Sequence, residues 1–325
     1  MVAFVGETSN GTGMYRWNNG SLTTIVPDGN DQFAAFGTPS INDAGVVAFI
    51  GVDDSSAFGA YSGSGGALNT IVASNGLATP FDRPAINNSN AVAYVAEDFS
   101  IGGAGIFVRD GGSTTTVANA SGKFRYFTRP QINNAGDVAF TADHDAINTT
   151  GVYFRSKGGP LVTIVEGFSA FTVSAYPSIN DAGTVAFVRA SQQHGVGVFT
   201  WNQGNLENVV DTLGPYYRFG DAVDINNEGT LVFQAYLDNY KFGIYSGADP
   251  LADKVVEIGD VMFGRTVSYL SSIPQINDRG DILFTYRLDD STFGIALARA
   301  IPEPSGLLAA SLSLGAIACS RFSRR

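Results

Sequence analysis

Apolar residues along this chain come in short runs, not at the three-and-four spacing of an amphipathic helix. Val46-Val47-Ala48-Phe49 is typical: β-branched residues closed by an aromatic, just after the polar stretch Asn42-Asp43-Ala44-Gly45. Runs of this length bounded by Gly, Asn and Asp read as strands joined by tight turns. The pattern then repeats. Pro-x-Ile-Asn-[Asp/Asn]-x-Gly-x-[Val/Leu]-Ala-Phe occurs at residues 39–49, 84–94, 130–140 and 177–187, with looser copies at 223–233 and 274–284. The closing aromatic falls at Phe4, Phe49, Tyr94, Phe140, Phe187, Phe233 and Phe284. The period is roughly 46 residues, that of propeller blades.

Each copy has one internal grammar. A strand ending in Ile-Asn leads into a turn whose last position is Gly45, Asn90, Gly136, Gly183, Gly229 or Gly280. Glycine and asparagine tolerate a left-handed backbone best, so positive φ is expected there. The leading asparagine is expected to fold its side chain onto the backbone two residues on. A second strand carries the Val-Ala-Phe run. A third opens with glycine and an aromatic, as in Gly13-Met14-Tyr15 and Gly151-Val152-Tyr153, and a fourth follows a polar turn, as at residues 161–165. Four short strands per repeat predict an all-β fold, a β-propeller of about seven four-stranded blades over residues 1–300. A β-helix would need much shorter repeats, and a sandwich would not repeat its sequence so regularly.

This succession of proline, glycine turn, Val-Ala-Phe and aromatic-bearing strand resembles the TolB-type propeller repeat, in which the turn reads Ser-Pro-Asp-Gly where this chain reads Asn-Asp-Ala-Gly. The resemblance implies the fold and no activity. The chain starts inside a repeat, at Met1-Val2-Ala3-Phe4, and its last repeat supplies no fourth strand before residue 300. The first and last blades are therefore expected to be incomplete, with upstream sequence holding the missing strand and a signal peptide.

Residues 301–325 differ in kind. Pro302-Glu303-Pro304 precedes an apolar stretch at 306–319, expected to form a short helix, and an arginine cluster at Arg321, Arg324 and Arg325. These three parts in this order resemble the PEP-CTERM signal that exosortases read. The resemblance implies export, membrane attachment through the tail before processing, cleavage near Pro302 to Pro304, and a surface or extracellular product. The apolar stretch is shorter than the roughly 20 residues that comfortably cross a bilayer, and its arginines would stay cytoplasmic.

Composition narrows the chemistry. The formal net charge is −11, which removes the phosphate attraction that drives nucleic-acid binding. The single cysteine, Cys319, lies in the tail, so no disulfide forms within one chain. Two histidines, His144 and His194, stand a blade apart; there is no zinc-type spacing, no Gly-x-Ser-x-Gly elbow and no phosphate-cradling glycine loop. No residue is singled out as catalytic and no cofactor is required. The loops after the second strands carry Asp53, Asp54, Glu97, Asp98, Asp143, Asp145, Asp289 and Asp290. Hard oxygen ligands in that number could hold calcium, although solvated loops are the ordinary use of such residues. The connections into each new repeat carry Phe33, Phe36, Phe81, Phe124, Tyr126, Phe127, Tyr216, Tyr217, Phe263 and Tyr269, interleaved with Arg83, Arg125, Arg129, Arg218 and Arg265. Recurrence at similar offsets favours packing between blades; rings beside guanidinium groups would also suit a saccharide. The expected function is a secreted or surface-anchored binding or structural module of the bacterial cell surface or exopolysaccharide matrix, with an exosortase-type sorting enzyme and a polysaccharide or surface protein as partners. The alternative is a propeller-fold extracellular glycan hydrolase or lyase.

Overall fold

A computed structural model describes residues 1–73, 78–98, 103–144, 149–168, 176–191, 193–270, 273–300 and 312–317. Among them there is no helix. The strands form seven antiparallel sheets in chain order, the blades of a β-propeller. The chain divides into two compact units, Met1–Ser169 and Ala170–Arg325.

In the first unit, blade one has three strands, Val2–Thr8, Gly11–Asn18 and Ser21–Val26. Blades two to four each begin at a proline-bearing first strand, which in blade two is split into Ala35–Phe36 and Ser40–Ile41 and in blades three and four runs unbroken as Ala78–Ile86 and Phe124–Ile132. In the second unit, blade five runs Ser178–Ile179, Val185–Ser191, Gly195–Asn202 and Asn205–Asp211. Blade six opens with Tyr216–Ile225 and blade seven with Arg265–Leu270 and Gln275–Ile276. Leu312–Ile317 pair antiparallel with Phe293–Ala300 in blade seven. The rest of the expected apolar helix, and the tail residues Pro302, Glu303, Pro304, Arg321, Arg324 and Arg325, lie outside the described residues.

The core lies between neighbouring blades. In the first unit Met14 of blade one packs with Phe49 of blade two, and Val95 of blade three with Phe140 of blade four. In the second, Val198 of blade five meets Phe233 of blade six, and Val232 meets Phe284 of blade seven. The Val-Ala-Phe runs are buried on both faces, which is why they read as continuous apolar stretches without the alternation of a half-exposed strand.

The turns adopt the expected left-handed state, with φ of 78° at Gly45, 65° at Asn90, 87° at Gly136, 75° at Gly183, 82° at Gly229 and 77° at Gly280. The asparagines that open them do more than expected. The Oδ1 of Asn87 accepts from the amide of Ser89, two residues on, at 3.1 Å and from that of Ala91, four on, at 2.9 Å. The same four-residue bond recurs from Val46 to Asn42, Thr184 to Asn180 and Thr230 to Asn226. The other end of each amide leaves the blade. Asn42 Nδ2 donates to the Asn87 carbonyl and Asn87 Nδ2 to the Asn133 carbonyl in the first unit; Asn180 Nδ2 reaches Asn226 and Asn226 Nδ2 reaches Asn277 in the second. Asn42, Asn87, Asn180 and Asn226 are buried, so each side chain satisfies main-chain groups that would otherwise be orphaned.

Candidate binding surface

The aromatics that lead into each repeat separate into two classes, and a β-bulge does the separating. In a regular strand, residues three apart point to opposite faces. Phe124 and Phe127 are three apart, yet both are buried. Phe124 stands opposite His144 and Tyr126 opposite Asp143, so Arg125 is an extra residue that returns Phe127 to the side of Phe124. The same bulge inserts Tyr217 between Tyr216 and Phe219 in blade six, and Ser268 between Val267 and Leu270 in blade seven. The flanking side chains fill the blade: Phe124 lies 4.8 Å from Tyr153, and Tyr216 5.1 Å from Tyr245, both edge to face. The two residues between them are pushed into solvent, leaving Tyr126 51%, Tyr217 56% and Tyr269 49% exposed. The packing expectation therefore holds for Phe33, Phe124, Phe127 and Tyr216, and not for these three tyrosines or for Phe263, which is 48% exposed. The i, i+3 spacing of large apolar residues was the available signal for the bulge.

Blade six builds the most developed of these edges. The Tyr217 ring meets the Tyr240 ring edge to face at 5.4 Å. Tyr240 is 72% exposed and sits at φ 65° in the turn that follows Leu231–Leu237. The matching turn position is Ser56 in blade two and Ser291 in blade seven, at φ 65° and 68°. A bulky side chain held left-handed costs about 1–3 kcal/mol, and such positions concentrate at functional sites. Beside the ring pair, Arg218 faces Tyr236 across the strands. Arg218 and Arg125 are exposed, and neither side chain makes a hydrogen bond or ion pair among the described residues. Arg265 differs, lying 3.7 Å from Asp290 and 4.0 Å from Asp289.

The carboxylates mostly serve their own turns. Asp53 Oδ1 accepts from the Ser55 hydroxyl and amide and from the Ala57 amide, and the Ser55 hydroxyl above all holds its carboxyl below the usual range. Asp290 is lowered in the same way, chiefly by Thr292. Asp143 accepts from Thr150 Oγ1 at 2.8 Å, while Asp289 takes the Thr266 amide at 3.4 Å. Glu97 and Asp98 end the strand Val92–Asp98, Asp54 is exposed in its turn, and Asp145 lies outside the described residues. Among the described residues no three His, Cys, Asp or Glu side chains gather into a group that could hold a metal ion; the acids come in pairs close in sequence, on separate blades. Of the two histidines, His144 ends Val138–His144, and His194 Nδ1 lies 2.9 Å from Asp211 Oδ2.

Other ionisable groups are structural. Tyr153 Oη bonds Glu166 and Tyr245 Oη bonds Glu257, at 2.9 and 3.1 Å. Burial first, then these acids, push both phenols well above their ordinary range; Tyr216 is raised likewise, by burial and by Asp253.

Residues 1–167 match DUF7453, described as a family of unknown function. The chain belongs to this family. No curated protein sequence matches it. Solved structures share its architecture at low identity. Oligogalacturonate lyase from Vibrio parahaemolyticus aligns at 13% identity with a TM-score of 0.62, over 93% of this chain and 86% of that one. An oligogalacturonate lyase in complex with manganese aligns at 10% identity and TM-score 0.59, over 87% and 82%. TolB from Acinetobacter baumannii aligns at 12% identity and TM-score 0.47, over 91% and 78%. The likeness to the lyases is one of fold. In this DUF7453 chain the described residues bring together no ligand set that would suit manganese.

Proposed function

We propose that this DUF7453 protein is an exported binding module of the cell surface or exopolysaccharide matrix, engaging saccharide through its exposed tyrosine–arginine edges. The observation that carries the reading is Tyr240, held in a left-handed turn where blades two and seven place serine, and meeting Tyr217 edge to face beside the unpaired Arg218. Packing does not require these groups, since Tyr216 and Phe219 already fill the blade. Tyrosine offers a large amphipathic face at low entropic cost, and tyrosine and arginine dominate binding hot spots. Export, exosortase processing and transient membrane attachment rest on the order of Pro302-Glu303-Pro304, apolar stretch and terminal arginines. The test is retention of the purified protein on a panel of neutral and acidic polysaccharides, with Tyr217→Ala and Tyr240→Ser alongside. Retention of the wild type and its loss in both variants is expected. New reducing ends or unsaturated sugar absorbance would favour the hydrolase or lyase instead, and no retention on any glycan would leave a coat role built on protein contacts.

A further inference from the structure

Blade five departs from its neighbours at two positions on one face. The residue two after the Val-Ala-Phe aromatic is Gly6, Gly51, Ala96, Ala142 and Ala235 in five blades and Tyr286 in blade seven, but the charged Arg189 in blade five. In blades one, four and six the aromatic of the strand after the Val-Ala-Phe run is a tyrosine whose hydroxyl bonds an acid at or just past the end of the next strand: Tyr15 with Asp28, Tyr153 with Glu166, Tyr245 with Glu257. In blade five that ring is Phe199, which has no hydroxyl, and the acid, Asp211, turns to His194 and to the Leu213 amide instead.

Arg189 lies with its guanidinium carbon 4.7 Å from the centre of the Phe199 ring, and His194 meets the same ring edge to face at 6.0 Å. Arg189 pairs across the strands with Gly197, and Asn208 with Phe199. A methyl group on Gly197 would stand 2.6 Å from the Val210 main-chain oxygen and 3.2 Å from Asn208 Nδ2, so only glycine lets the two strands approach this closely beside Asn208. Arg189 Nε and Asn208 Nδ2 are both buried and have no hydrogen-bond partner among the described residues. Burial draws the guanidinium pKa below its ordinary value, yet arginine stays charged at any physiological pH. Two buried donors without acceptors, one of them cationic, are costly unless something supplies the acceptors.

We propose that this face of blade five is an oxyanion site that takes a carboxylate-bearing ligand, with Arg189 and Asn208 as donors around Phe199. A guanidinium stacked on an aromatic ring presents its N–H groups edge-on, the geometry that receives a planar carboxylate in two parallel bonds. The negative charge of Asp211 is directed onto His194 and the Leu213 amide, leaving the Arg189 edge to the ligand. The site does not rest on the tyrosine surface of blade six, and either can fail alone.

The test is titration of the full chain with sodium acetate, glucuronate and, as a tetrahedral anion, sulfate, at constant ionic strength held with chloride. The readouts are the melting temperature and the fluorescence of Trp201, buried on the strand Gly195–Asn202, read in a Trp17→Phe background that removes the other tryptophan. A saturable response to acetate and glucuronate is expected, weakened about tenfold or more in Arg189→Gln and less in Asn208→Ala, with Leu22→Ala, exposed on blade one, unaffected. A response to sulfate equal to that of the carboxylates would overturn the carboxylate assignment. No saturable response in the wild type, or an undiminished one in a folded Arg189→Gln, would overturn the site.

Discussion

The side-chain amide of Asn87 donates to the main-chain carbonyl of Asn133, 3.0 Å away and one repeat further along the chain. Its oxygen meanwhile receives the amides of Ser89 and Ala91 within its own turn. Asn87→Ala strands buried groups in two blades at once. It should destabilise by about 1–3 kcal/mol for each group left unpartnered. Asn88→Ala, one position on and exposed, removes the bonds to the Asp43 amide and carboxylate, but the groups it frees meet water, so it should cost only about 0.5–1.5 kcal/mol. Urea denaturation of the pair decides this; equal losses would contradict the account.

The bulges predict a division between neighbouring residues. Phe127→Ala should cost about 3–5 kcal/mol, while Tyr126→Ala should leave stability within about 0.5 kcal/mol. Deleting Arg125 removes the extra residue and turns Phe124 or Phe127 away from the core. That deletion should lower the denaturation midpoint at least as far as Phe127→Ala does.

Tyr240→Gly relieves the left-handed strain and should stabilise by about 0.5–1 kcal/mol while weakening saccharide retention. Gain in one property with loss in the other is the expected outcome, read from denaturation and the glycan panel together. A variant both less stable and fully retained would show Tyr240 to be a structural residue.

Three buried phenols set an alkaline limit. Tyr153, Tyr216 and Tyr245 resist ionisation in the folded chain, whereas the unfolded phenols ionise near pH 10. Their contribution is full below that pH and is lost as pH rises towards the folded values. Glu166 acts at the other end: its hydrogen bond to Lys123 above all lowers its pKa, so its contribution is present above about pH 4.3 and is lost on acidification. Denaturation midpoints measured between neutral pH and about pH 11 should fall, and the slope should be shallower in Tyr153→Phe. An unchanged slope in that variant would assign the alkaline loss to other groups.

The repeat made the blades legible. Pro39, Asn42, Gly45 and Phe49 recur as a set, and the left-handed turn and the inter-blade ring follow from those residues alone. The asparagine bridges were harder to read, because a turn-forming side chain and a cross-blade donor carry the same letter. Only the presence of asparagine in all of Asn42, Asn87, Asn133, Asn180, Asn226 and Asn277, where aspartate or serine would also form the turn, separates the two roles. The tyrosine edges were concealed for a different reason. Tyr126 and Phe127 are adjacent aromatics, and which of them faces water is decided by hydrogen-bond register with Val138–His144, a non-local fact. Arg189 was passed over because an arginine in a loop-flanking position is unremarkable until its partners are found to be missing.

The asparagine bridges have a direction: the amide of each repeat finds its acceptor in the following one, from Asn42 to Asn87 to Asn133 and from Asn180 to Asn226 to Asn277. A whole repeat inserted into such a series both gives and receives one bond, so its neighbours keep every polar group satisfied. A fragment cut at any other phase brings a donor without its acceptor. Tandem duplication in register thus leaves this hydrogen-bond series whole, and the near-identity of its successive turns is the trace such growth would leave.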